Sequence, residues 1–112
     1  MDISETDEKL AKLKEQAVSQ LQETGVSPID DALLDELVGR MRTIVNNKDA
    51  VLVSGSDDSE LETVRTNYVV KRMGIEDREK GMAAIKAVAD EMSSIRMKNR
   101  AAFYYMVNKK LS

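Results

Sequence analysis

Arg96, Arg100, Tyr104 and Asn108 recur at four-residue intervals near the C-terminus, the spacing that places side chains on one face of an α-helix. Lys98, Lys109 and Lys110 lie in the same stretch, which has no acid between Met92 and Ser112. Helical throughout, such a segment presents a basic stripe with a tyrosine, opposite Phe103, Val107 and Leu111. Cations in a row can track phosphates, and an aromatic ring can stack on a base. Arg96, Lys98, Arg100, Tyr104, Lys109 and Lys110 are therefore the candidate binding surface. The competing assignment makes this a solvated face whose cations pair with distant acids, and charge distribution favours it. Residues 1–62 carry fifteen acids and six bases, whereas residues 63–112 carry five and eleven. A basic half can neutralise an acidic half on folding.

Other chemistries fit less well. Asp30, Asp31 and Asp35 form one acidic cluster, and Asp57, Asp58, Glu60 and Glu62 form another. Carboxylates alone can hold Mg²⁺ or Ca²⁺, but neither cluster has the alternation and central glycine of an EF-hand loop. Acids at helix starts complement the dipole and cap free N–H groups, which is the preferred reading. Ser54-Gly55-Ser56 leading into a helix has the outline of an anion-binding turn, without the Walker lysine and with Asp57 and Asp58 repelling a phosphate. The chain has no histidine and no cysteine, so a hydrolytic triad cannot be built. No serine is followed three residues later by lysine, leaving only a Ser–Lys pair formed in space. No catalytic, metal-binding or cofactor-binding residue is assigned, and no cofactor is expected.

The elements that would position these residues are helical. Ser4 or Thr6 can cap a first helix carrying Leu10, Leu13, Ala17 and Leu21 on one face, with Gly25 at its C-terminal stop. Ser27-Pro28-Ile29-Asp30 predicts the next start, with Ser27 as cap and Pro28 in the first helical position. Leu33, Leu34, Leu37, Val38, Met41, Ile44 and Val45 give the second helix a wide apolar stripe, marking it as the most buried. Ala50-Val51-Leu52-Val53 is an apolar run with no visible strand partner, read as a buried turn or short helix. Asp57 and Asp77 cap the third and fourth helices, and Met73-Gly74-Ile75 reads as a Schellman stop. Ser93-Ser94 breaks the fourth helix before a last one through Phe103, Val107 and Leu111. The seven methionines fall mostly on apolar stripes and fill the core. Met97, between Arg96 and Lys98, is the candidate for exposure or for packing on a partner. The predicted fold is all-α, a compact five-helix bundle-like array with no sheet. Residues 1–25 form an N-terminal helix, read as an added or docking segment, and residues 26–112 form the core domain.

Asn47-Lys48-Asp49, Leu52-Val53-Ser54 and Ser56-Asp57 are followed by Glu60, Val64-Arg65 and Lys71-Arg72-Met73-Gly74-Ile75, then by Arg100 with Phe103-Tyr104-Tyr105. In these motifs the stretch from about Asp30 to Lys110 resembles a bacterial family known as domain-of-unknown-function family 2853. The resemblance implies a compact helical domain and brings no activity, cofactor or catalytic residue with it. The acidic start, Met1-Asp2-Ile3-Ser4-Glu5, lacks the basic-then-apolar pattern of a secretory signal, and no apolar run is long enough to span a membrane. With no cysteine, these features point to the cytoplasm. The expected function is a non-enzymatic helical module acting through a protein partner or a second copy of itself, without a membrane. Nucleic-acid binding through the basic C-terminal helix is the alternative, and a carboxylate-only metal enzyme the more distant one.

Overall fold

A computed structural model describes residues 5–47 and 49–112. Among them five α-helices form: α1 (Glu5–Glu23), α2 (Asp31–Gly39), α3 (Asp58–Val64), α4 (Arg78–Glu91) and α5 (Arg100–Leu111). The fold is essentially all-α. The first helix already includes Thr6, so Thr6 is not its cap; Ser4 and Lys48 lie outside the described residues.

Local chemistry sets most element boundaries. Asp57 accepts from the backbone N–H of Ser59 and Glu60 at the start of α3, and Asp77 accepts from Lys80 at the start of α4. Gly25 (φ +87°) and Gly74 (φ +70°) occupy the left-handed region where a side chain is strained. At Gly74 the helix stops as the sequence predicts, but the Ile75 N–H reaches back to the Val69 carbonyl at 3.0 Å, one residue further than the Val70 carbonyl that a Schellman motif would use. Beyond Val64, α3 continues through a wider π-helical turn over Arg65–Val70. At α2 the cap is Asp30 rather than Ser27: its carboxylate accepts from the Leu33 N–H at 3.1 Å. The shift has a tertiary cause. The Asp30 N–H donates to the Tyr105 hydroxyl of α5 at 2.8 Å, holding Asp30 in an extended conformation.

The most buried helix is α5, not α2. All eight residues from Arg100 to Val107 are buried, and α1, α2 and α4 pack around them. A helix surrounded by other helices has no polar face and so no amphipathic period to detect. The buried residues of α1 (Leu10, Leu13, Ala17, Leu21) share one core with those of α2 to α5.

A second departure is a short ladder. Leu52–Val53 (β1) pairs antiparallel with Lys98–Asn99 (β2), Leu52 opposite Asn99 and Val53 opposite Lys98. The 50–53 run is thus partly extended, and the expectation of no sheet fails by this one two-residue pair. Its partner is a polar dipeptide with no alternating pattern, which concealed it. On its other side β2 is held by Gln20 of α1: the side-chain amide donates to the Met97 carbonyl at 3.1 Å and its oxygen accepts from the Asn99 N–H at 2.7 Å.

Asn99 is fully buried and caps α5 by accepting from the Ala102 N–H. Its amide also donates to the Leu13 carbonyl and the Gln16 side chain of α1, both at 3.0 Å. Losing a cap costs about 1 kcal/mol and orphaning a buried polar group about 1–3 kcal/mol. Asn99→Ala is therefore expected to lower stability by about 2–4 kcal/mol in urea unfolding. A loss below about 1 kcal/mol would mean that Asn99 does not tie α5 to α1.

Candidate binding groove

The six C-terminal residues singled out in the sequence do not share one surface. Arg100 and Tyr104 lie inside the protein. The Arg100 guanidinium donates to the carbonyls of Ala50 (2.6 Å) and Leu52 (3.1 Å), to the Tyr104 hydroxyl (3.1 Å) and to Glu60. Tyr104 stacks on Tyr68 with ring centroids 4.5 Å apart. Asn108, also on the proposed stripe, donates to the Tyr68 hydroxyl at 2.9 Å. Lys109 faces Asp30 at 3.6 Å and Lys110 pairs with Glu91 at 2.8 Å, both at the C-terminal end of α5, where cations complement the helix dipole. Arg96 and Lys98 precede the helix, roughly 15 Å away along its axis. Arg100 and Lys109 thus meet acids of the N-terminal half, as the charge asymmetry suggested.

The acidic clusters are likewise engaged. Asp30 and Asp57 cap helices, Asp35 pairs with Lys14, and Glu60 pairs with Arg100. Glu62 receives Arg65 and Arg78, and the Arg65 guanidinium above all holds its carboxyl below the usual range. Among the described residues no three acids converge closely enough to hold a metal ion.

What remains is a groove beside the α4–α5 connection, with a volume of about 1000 Å³. Ser54, Gly55, Ser56 and Asp58 line it together with Lys86, Ala89 and Asp90 of α4. Leu61, Ser93, Arg96, Met97 and Lys98 complete the lining. A smaller cleft of about 240 Å³ shares Ser54, Arg96 and Met97 and runs toward Leu52 and Glu60. Met97 is 58% exposed. Its neighbours Met92 and Ile95 point inward and are buried, so the connection is anchored from below.

The charges at this place differ from those elsewhere. Six of the seven arginines have a carboxylate partner: Arg40 and Arg72 share Glu36, Arg42 meets Asp7, Arg65 and Arg78 share Glu62, and Arg100 meets Glu60. Arg96 is the exception among the described residues. Lys98 is only 6% exposed, and its ammonium has a single partner there, the Ile95 carbonyl at 2.7 Å. Burial pushes the Lys98 pKa below the usual lysine value. The groove brings Ser54, Ser56 and Ser93 onto the same surface as Lys98, whose amine donates to the Ile95 carbonyl and to none of these serines.

Residues 16–112 match the family described as protein of unknown function, DUF2853. The chain belongs to that family. No curated protein matches it. The DUF2853 span begins within α1, earlier than the stretch that carried the resemblance, and includes Gln16 and Gln20 as well as every residue lining the groove. Sequence reading had flagged Arg96, Lys98 and the exposed Met97, but not Lys86 or Asp90, which reach the groove only through the packing of α4.

The buried ammonium has a consequence for stability. Folding lowers the Lys98 pKa, so the folded protein releases this proton more readily than the unfolded chain. Stability should then rise with pH from the folded pKa of Lys98 up to the unfolded value near 10.5. Lys98→Met keeps an apolar stem and removes the buried charge. It is expected to raise the urea midpoint at neutral pH, with the gain shrinking as pH rises from the folded pKa and gone above the unfolded value near 10.5. An unchanged or lower midpoint at neutral pH would show that the ammonium is already compensated.

Proposed function

We propose that this protein is a non-enzymatic interaction module that docks a short segment of a partner protein in the groove at Arg96 and Met97. The observation that carries this reading is a juxtaposition. The one arginine with no counter-ion among the described residues is adjacent in sequence to a large exposed apolar side chain, and both line two adjoining clefts. Isolated exposed apolar residues are ordinary, but one on the rim of a groove beside an uncompensated cation suits a segment of mixed apolar and acidic character. The backbone that presents them is fixed by Gln20, β1 and the buried Met92 and Ile95, which gives the surface a rigid base. A groove of this size suits a short segment, which supports a contact of the small, transient class.

The nucleic-acid alternative draws less support. Arg100 and Tyr104 are buried and Lys109 and Lys110 face acids, which leaves few cations to follow a phosphate backbone. Asp58 and Asp90 in the groove walls would repel a polyanion.

A random peptide library displayed on phage and selected on the immobilised full chain tests the proposal. Counter-selection uses the double variant Arg96→Glu/Met97→Asp, whose exposed substitutions should leave thermal stability unchanged. Peptides combining acidic and apolar residues are expected to be enriched and to lose at least about tenfold in affinity on the variant, the scale of one lost contact of about 1.4 kcal/mol. No enrichment, or equal retention by the variant, would refute the reading. Labelled oligonucleotides at about 50 mM salt provide the contrast, since binding that the double variant abolishes would favour nucleic acid instead. Concentration-dependent dimerisation lost in the variant would identify the partner as a second copy.

A further inference from the structure

We infer that Lys98 is a carboxylate receptor, its ammonium in the groove taking the acidic side chain of the docked segment. The inference rests on the docking proposal above and adds the chemistry by which the segment is recognised.

Among the described residues four polar or charged ones are buried: Gln20, Lys98, Asn99 and Arg100. Three of them make two or more side-chain hydrogen bonds each. Gln20 bridges the Met97 carbonyl and the Asn99 N–H, the Asn99 side chain meets three groups, and Arg100 meets Glu60, Tyr104 and two carbonyls. Lys98 stands apart. An ammonium has three N–H donors, and here one is used, on the Ile95 carbonyl. Among the described residues no carboxylate lies within ion-pair distance of it. Buried cations in folded proteins are as a rule paired, because desolvation is costly without a counter-charge. Lys98 lines the groove, so the missing counter-charge can come from outside the protein.

The wall next to this ammonium is shaped for it. A Cβ on Gly55 would stand 3.0 Å from Lys98 Cε and 3.1 Å from Nζ, with the Ala89 Cβ at 3.4 Å. Any side chain at position 55 would crowd the ammonium, and glycine lets the end of the Lys98 side chain pack against the backbone there.

The rest of the lining favours a carboxylate on an apolar segment. Asp58 and Asp90 limit how much negative charge the groove tolerates, which suits a single carboxylate better than a phosphate dianion. Leu61, Ala89 and Met97 offer apolar contact to neighbouring side chains, and Arg96 at the rim can bind a second acid through its planar fork.

The test uses two blocked peptides, leucine–glutamate–leucine and its glutamine counterpart, with free glutarate as a third probe. Binding is followed by chemical-shift changes of ¹³Cε-labelled lysines in the full chain. The glutamate peptide should bind wild type at least about tenfold more tightly than the glutamine peptide, and shift the Lys98 signal. In Lys98→Met the two peptides should bind alike, at the weaker affinity. Gly55→Ala, which keeps the charge but crowds it, should also narrow the gap. Equal binding of both peptides to wild type, or a gap that persists in Lys98→Met, overturns the receptor role while leaving docking intact. Failure of both peptides to bind overturns docking at this groove and the receptor with it. Glutarate binding as tightly as the glutamate peptide overturns the peptide as the source of the carboxylate.

Discussion

Two consecutive buried polar residues, Asn99 and Arg100, hold the fold together, and they face opposite directions. Asn99 reaches α1 through the Leu13 carbonyl and Gln16, while Arg100 reaches the 50–53 segment through two carbonyls and α3 through Glu60. The Arg100 N–H adds a bond to the Val51 carbonyl at 2.8 Å. A buried polar group left without partners costs more than most single apolar contacts contribute. Satisfying these two residues therefore fixes where α1, β1 and α3 stand around the start of α5. The apolar helix faces supply most of the driving force, but they tolerate sliding; the hydrogen bonds at residues 99 and 100 select one arrangement.

That constraint also creates the groove. The residues immediately before Asn99 cannot relax away, because β2 is bonded to β1 on one side and to Gln20 on the other. Residues 96–98 are consequently displayed on a fixed backbone, with Met97 outward and Lys98 drawn inward between Gly55 and the Ile95 carbonyl. Structural rigidity and surface chemistry come from neighbouring positions in one short segment. Stability effects of substitutions there need to be separated from binding effects.

Much of the fold was legible because its signals are local. Asp57, Asp77, Gly25 and Gly74 act within one turn of their own position, and the stripes of α1 and α3 follow helical periodicity. What was hidden depends on contacts distant in sequence. Asp30 displaces Ser27 as the cap through a tyrosine 75 residues away, and β1 finds a partner with no strand-like pattern. The basic stripe on α5 follows correct helical arithmetic from Arg100 onward, but periodicity cannot tell a face turned to water from one enclosed on all sides. Arg100 is enclosed because Glu60 is there to neutralise it, a pairing across 40 residues. Arg96, Met97 and Lys98, which line the groove, precede α5, so its helical spacing does not govern where they point.

The central place of α5 has an implication for how the chain is made. Leu13 waits for Asn99, which is 86 residues further along. At ribosomal speeds of about 5–20 residues per second, that interval is roughly 4–17 s. Throughout it, the leucine-rich faces of α1 and α2 have no central helix to cover them. The core of the described residues is therefore complete only once α5 has been made.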